Sequence, residues 1–263
     1  MYENIVVNKL EKLSIEEYPM EFVERKGKGH PDYIADSIAE VSSIGLSRYY
    51  VEHYGRILHH NVDKVLVVGG QAAPKFGGGE VLTPIYILIS GRVTTEVTLE
   101  SGAVENIPVG PILLENAKNW IRENFRYLDP ERHVIIDYRI GKGSADLVSV
   151  FERERGYPLA NDTSLGVGYA PLTETEKLVL EVEKTLNSKE IKREFPAIGE
   201  DIKVMAVRQN NTIDLTIAVA VISRFVNDMD EYIAVKEAVK EIICKVADRI
   251  TEREVKTVSY THL

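Results

Sequence analysis

An α+β protein of two packed units, each a β-sheet layered with long amphipathic helices, is what this sequence predicts. Three observations point there. Strand-like and helix-like patterns fail to alternate strictly, as a doubly wound parallel sheet would require. Two β-rich runs flank Asn210-Asn211, a pair able to supply the positive-φ turn of a hairpin, so the sheets are expected to be antiparallel. No low-complexity linker separates the halves, so the chain divides into units 1–130 and 131–263 in direct contact. A length of 263 residues suffices for two such cores.

The elements follow in order. From Pro31, apolar Ile34, Ile38, Val41 and Leu46 recur at helical spacing up to about Tyr54-Gly55. "DKVLVV" (63–68) reads as a buried strand and "GGQAAPKFGGGE" (69–80) as a glycine-heavy loop. "VLTPIYILISGRV" (81–93) reads as a second strand, with Pro84 marking an edge or bulge. Residues 108–125 form a helical pattern whose prolines fall in its first turn, and "RHVIIDYRI" (132–140) is a further strand. Thr173 and Glu176 have capping-box spacing at the start of another helix. A hairpin over 202–225 precedes a last helix at about 230–250, with Val235, Val239, Ile242, Val246 and Ile250 on one face.

Composition narrows the function. A formal charge of -9 leaves no basic surplus for a nucleic-acid backbone, although a small anion needs only a local cluster. Cys244 is the single cysteine, which excludes an intrachain disulfide; its apolar neighbours predict a buried, inert thiol. Lys9, Glu11, Lys12, Glu16 and Glu17 are incompatible with a signal peptide, and the longest apolar run, "IAVAVI", is too short to cross a membrane. A soluble, cytoplasmic protein is expected.

Two glycine turns hold the chemistry-bearing residues. In "GKGHPD" (27–32), two glycines permit a sharp turn and Pro31 suits the first helical position. Amides at that helix start form an anion site that His30 could complete. Asp32 and Asp36, four residues apart, project from one face and could hold a hard cation such as Mg²⁺. The bland reading is a capped helix whose acidic residues complement its dipole. "GKGSAD" (141–146) repeats the arrangement after a strand, and its bland reading is an ordinary strand-to-helix turn. Neither matches the Walker pattern. "FGGGE" ends in Glu80, and the polar loop "PLANDTSLGVGYAP" contains Asp162. Asp201 and Lys203 alternate along a strand start, hence on one face, where a plain surface ion pair is the commoner outcome. The adjacent His59 and His60 lack a third ligand at useful spacing and read as structural.

Taken together, "ERKGKGHPDYIADSIAE", "GRILHHNVDKV", "FGGGEVLTPIYILISGR", "GKGSADLVSVFE", "PLANDTSLGVGYAPLTETEKLVLEVE" and "PAIGEDIKVMAVR" resemble the archaeal-type S-adenosylmethionine synthetases, in family order from residue 24 to about 250. The resemblance implies attack of the methionine sulfur on C5′ of ATP, with triphosphate expelled and then cleaved to diphosphate and phosphate. It implies catalytic roles for His30 at the phosphates, Lys203 as a phosphate-binding lysine, and Asp162 at the methionine and adenosine end. Gly141, Lys142, Gly143, Ser144, Ala145 and Asp146 match the family's ATP-binding turn. Glu80 resembles the acid that holds the methionine amine, and Asp201 a nucleoside-binding acid. Asp32 resembles the Mg²⁺ ligand, with Asp36 beside it. A K⁺ ion belongs to bacterial relatives, and no residue here is assigned to it. The implied partners are ATP, L-methionine and a second copy of the chain, the active site lying at or near the subunit interface.

There are departures. Tyr33 stands where bacterial relatives place a lysine. Family members continue for about another domain, so two of the usual three sheet-plus-helices units are expected here, without the residues of the third that clamp the triphosphate. "TVSYTHL" (257–263) does not match the family's continuation and is expected to be read-through sequence. A weakly active or inactive truncated chain is therefore expected; the alternative is a non-catalytic nucleotide-binding chain or a partner subunit of a full-length synthetase.

Overall fold

The computed structural model describes residues 5–99, 101–141 and 165–262. Two sheet-and-helix layers make up the fold. The first has a three-stranded sheet, β2 (His60–Val68), β5 (Ile85–Val93) and β8 (Val134–Gly141), in the order β2-β5-β8. Helices α1 (Pro31–Tyr54) and α2 (Val109–Asn124) cover it, and a small antiparallel ribbon of β6 (Glu96–Thr98) and β7 (Val104–Asn106) precedes α2. Ile38, Leu46 and Tyr50 of α1 and Leu113, Ala117 and Ile121 of α2 meet Val62, Ile87, Ile89 and Val134 in one core. The α1 periodicity delivers these apolar residues to one face, and Gly55, at φ 69°, ends the helix.

The second layer is a four-stranded sheet in the order β1-β9-β10-β11, formed by β1 (Met20–Lys26), β9 (Ile198–Gln209), β10 (Thr212–Val221) and β11 (Glu254–His262). Helices α3 (Glu174–Leu186) and α5 (Met229–Ile250) pack on it, and a short α4 (Lys189–Glu194) leads into β9. Leu178, Val182 and Leu186 of α3 and Val239, Ile243 and Val246 of α5 bury against Ile202, Val204, Leu215 and Ile217. The expected capping box is present: Thr173 Oγ1 accepts from Glu176 N at 3.1 Å, and Thr173 N donates to Glu176 Oε2 at 2.8 Å. Asn210, at φ 52°, makes the hairpin turn.

Several expectations require correction. Both large sheets are mixed rather than antiparallel, because β8 runs parallel to β5 and β11 parallel to β10. The run 69–80 is not simply a loop: β3 (Gln71–Lys75) and β4 (Gly78–Thr83) form a hairpin. Pro74 and the glycines are tolerated there because the ribbon is all edge. Pro84 divides the expected 81–93 strand into β4 and β5. Cys244 is exposed, being on the outward side of α5 beside the buried Ile243. Residues 257–262 lie in β11 alongside β10, and this placement leaves the read-through expectation untested.

The sheets also draw strands from both sides of residue 130. β1 pairs with β9, and β8 joins β2 and β5. The chain thus passes from the second layer to the first through residues 27–30, between β1 and α1. No helix of the described residues is long and apolar enough to cross a membrane.

Candidate functional site

That crossing is the first glycine turn, and its shape is set by β9. Gly27 N donates to Ile202 O at 2.7 Å and Gly29 N to Glu200 O at 3.1 Å, so the turn continues the β1-β9 ladder. A Cβ on Gly29 would lie 2.3 Å from Asp201 N and 2.4 Å from Glu200 C; one on Gly27 would lie 2.7 Å from Asn187 Nδ2 and 2.9 Å from Ile202 O. Neither glycine has a positive φ. A sharp turn is one reason for glycine at both positions. The structure gives a further reason: the β9 backbone passes directly beneath them.

His30 closes the turn and caps α1. Its Nδ1 accepts from Asp32 N at 3.2 Å, and Pro31 occupies the first helical position. Here the bland reading of the motif applies, since His30 occupies an amide that an anion would otherwise use. With Nδ1 as acceptor, Nε2 is the ring's donor.

A charged row adjoins the cap. Glu24 and Lys26 of β1 and Asp201 and Lys203 of β9 point away from the helices, Lys26 standing opposite Lys203 across the ladder. Lys26 Nζ binds Asp32 Oδ2 and lies 3.6 Å from Glu24 Oε1, while Lys203 Nζ lies 2.8 Å from Glu24 Oε2. The hydrogen bond from Lys26 holds the Asp32 carboxyl below its usual range, with the charges of Lys26 and Lys203 adding to it. The hydrogen bond from Lys203 does the same for Glu24. Asp36 is exposed one turn further along α1. Among the described residues no group of three or more His, Cys, Asp or Glu could hold a metal ion. Two carboxylates on one helix face nevertheless suit Mg²⁺, which commonly takes one or two together with phosphate oxygens and water.

The other expected residues are distributed differently. Glu80 is exposed on β4, and its hairpin is fastened elsewhere: Gly77 N donates to Ser223 O at 3.1 Å and Val226 O at 2.7 Å. Gly141 ends β8 opposite Arg92. Lys142, Gly143, Ser144, Ala145, Asp146 and Asp162 lie outside the described residues. The histidine pair is structural as expected: His60 Nε2 lies 2.8 Å from Ser43 Oγ, and its Nδ1 2.9 Å from Leu58 O.

Beneath the turn is a partly buried charged network that no sequence motif announces. Arg126 Nε donates to Glu200 Oε1 at 2.6 Å, and Arg25 Nε to Glu183 Oε2 at 2.8 Å. Lys192 Nζ donates to Ile198 O at 3.2 Å and to Gly199 O. Burial pushes the Lys192 ammonium down to about 7; Arg126 and Lys28 add to the shift, while Glu200 and Glu183 oppose it. No local pattern in the sequence marks Lys26, Arg126 or Lys192.

The fold is a two-layer α+β arrangement with a row of charged side chains where the layers join. The family described as "S-adenosylmethionine synthetase (AdoMet synthetase)" matches residues 3–262. The chain is 61% identical over 251 residues to the S-adenosylmethionine synthase of Hyperthermus butylicus, covering 95% of this chain and 61% of that protein. Identity to the S-adenosylmethionine synthase of Aeropyrum pernix is 59% over 250 residues, with the same coverage. Identity to that of Sulfurisphaera tokodaii is 59% over 248 residues, covering 94% and 61%. A solved structure, an unusual S-adenosylmethionine synthetase from Campylobacter jejuni, matches with a TM-score of 0.51 at 14% identity, covering 92% of this chain and 57% of that one. At that identity the likeness speaks for the fold alone. The chain belongs to the S-adenosylmethionine synthetase family, of archaeal type. It spans about three fifths of the length of these curated relatives.

Proposed function

We propose that this chain carries the Mg²⁺-ATP site of an S-adenosylmethionine synthetase, which forms S-adenosylmethionine from ATP and L-methionine with release of phosphate and diphosphate. The observation that carries the proposal is the near-60% identity to synthases of that name over almost the whole chain, glycine turn included. Displacement at C5′ needs no enzyme nucleophile. It needs an aligned sulfur and a stabilised leaving triphosphate.

The row beside the turn suits the second requirement. Lys203 and the His30 donor would face the phosphates, and Lys26 would join them by leaving Asp32 as that carboxylate turns to the metal. Asp32 and Asp36 would hold Mg²⁺, which when bound neutralises part of the triphosphate charge. Asp201 would hold the nucleoside, Glu80 the methionine amine, and Asp162 the methionine and adenosine end, with Gly141 to Asp146 as the second ATP turn. A cytoplasmic setting, a homodimer with its site near the subunit interface, and the use of K⁺ belong to the same proposal.

The test is mass-spectrometric detection of S-adenosylmethionine from ATP, methionine and Mg²⁺, using this chain and a form extended to the relatives' full length. The extended form should turn over. This chain alone should fall below about a tenth of that rate, a barrier difference of ~1.4 kcal/mol, because few of its cations meet the leaving group. Asp32→Asn in the extended form should lower turnover about a hundredfold; unchanged turnover and Mg²⁺ dependence would remove Asp32 from the site. Mg²⁺-ATP binding without product from either form would favour the non-catalytic reading.

A further inference from the structure

The start of β9 is held from outside by two cations. Arg126, just past the end of α2, spreads its guanidinium over the corner between α4 and β9. Besides the Glu200 carboxylate, it donates to Ile198 O at 2.6 Å, Pro196 O at 3.2 Å and Lys192 O at 3.3 Å. Lys192 reaches the same corner from α4 and binds the carbonyls of Ile198 and Gly199. Between them the two side chains engage carbonyls of four residues and one carboxylate, and Glu200 and Lys192 are both about 8% exposed. Planar, multiply donating guanidinium suits such convergence.

Glu200 is also the residue on which the glycine turn rests. Its carbonyl accepts from Gly29 N, and its peptide link to Asp201 fills the space a Gly29 side chain would need. A displacement of that peptide would carry with it Gly29, the His30 cap and the following Asp201 and Lys203. Buried ions are weak contributors to stability when an apolar filling could replace them, and their best-attested use is to specify one arrangement.

We infer that Arg126 and Lys192 are positioning residues for the Gly27–His30 turn, acting through the Glu200–Asp201 peptide of β9. The inference rests on the proposed function only for what the turn binds.

Hydrogen–deuterium exchange on the 263-residue chain reads the turn without any ligand. Peptides spanning 24–36 should exchange about tenfold faster in Arg126→Gln and Lys192→Met, while those from α2 and α5 stay within about twofold of the parent. Glu200→Gln, which keeps an acceptor for Arg126, should retain most of the protection that Glu200→Ala loses. Should Arg126→Gln fail to fold, Arg126→Lys, which keeps the charge but not the fork, gives the same reading. Unchanged exchange across 24–36 overturns the inference, and so does an equal rise everywhere, the mark of plain destabilisation. Calorimetric titration of the same proteins with Mg²⁺-ATP separates the two proposals. A parent chain with a protected turn and no ATP binding would overturn the function and leave the positioning role intact.

Discussion

Lys192 keeps an ammonium where water cannot reach it, and that has a pH signature. Its pKa falls from 10.5 to about 7 on folding. Between those values the unfolded chain binds more protons than the folded one, so stability should rise with pH. Below about pH 7 both states carry the charge and the burial penalty is felt in full. The slope for one such group is at most about 1.4 kcal/mol per pH unit. Urea unfolding at pH 7, 8 and 9 should show that rise in the parent chain and a flatter line in Lys192→Met; equal slopes would refute the assignment. Gly29 offers a second residue-scale prediction. The clash of an added Cβ is with β9 backbone, whereas Gly55 has nothing within 4 Å and only its φ of 69° to defend. Gly29→Ala should cost about 2 kcal/mol or more by overpacking, against about 1 kcal/mol of left-handed strain for Gly55→Ala. Comparable melting shifts would contradict this.

Among the elements, β1 is tied to its sheet by more than the ladder. Arg208 Nε lies 3.1 Å from Glu21 Oε2 in a buried pair, and Thr173, the cap of α3, donates to Glu21 Oε1 at 2.7 Å. Burial pushes the Glu21 carboxyl up, and the bonds from Thr173 and Arg208 together bring it below its usual range. Arg208→Met leaves that charge unpaired and should destabilise the chain by about 3–5 kcal/mol, with Glu21→Gln in the same chain recovering part. Denaturant midpoints check both. The elements that sequence reading located are those with local causes: the helical stripes, the Thr173 box and the Asn210 turn. The β3-β4 hairpin was missed because its support comes from Ser223 and Val226, well over a hundred residues away. The site divides in the same way. Asp32, His30 and Lys203 sit in short motifs, whereas Arg126 meets Lys192 across 66 residues and Arg25 meets Glu183 across 158. No window along the sequence contains such a pair.

At the scale of the whole molecule, each large sheet has one face under helices and one that is open among the described residues. The open faces carry Phe22 at 67% exposure, Met205 at 38%, Leu66 at 56% and Ile135 at 52%. Apolar surface of that kind commonly marks an interface, and a self-complementary pairing of two copies would cover it. Light scattering after size exclusion should give twice the 29.6 kDa chain mass, and Leu66→Asp should shift it toward the monomer; a clean monomer at micromolar concentration would refute pairing. The pairing of β1 with β9 has a consequence for synthesis. Residues 20–26 leave the ribosome early but hydrogen-bond to 203–209, so roughly 180 further residues must be made first. At about 5–20 residues per second this is a wait of about 10–35 s. During it Phe22 and its neighbours form an unpaired strand on a nascent chain, open to chaperones and to other copies on the same message. The glycine turn, translated long before the β9 strand beneath it, therefore takes shape only once that strand has been made.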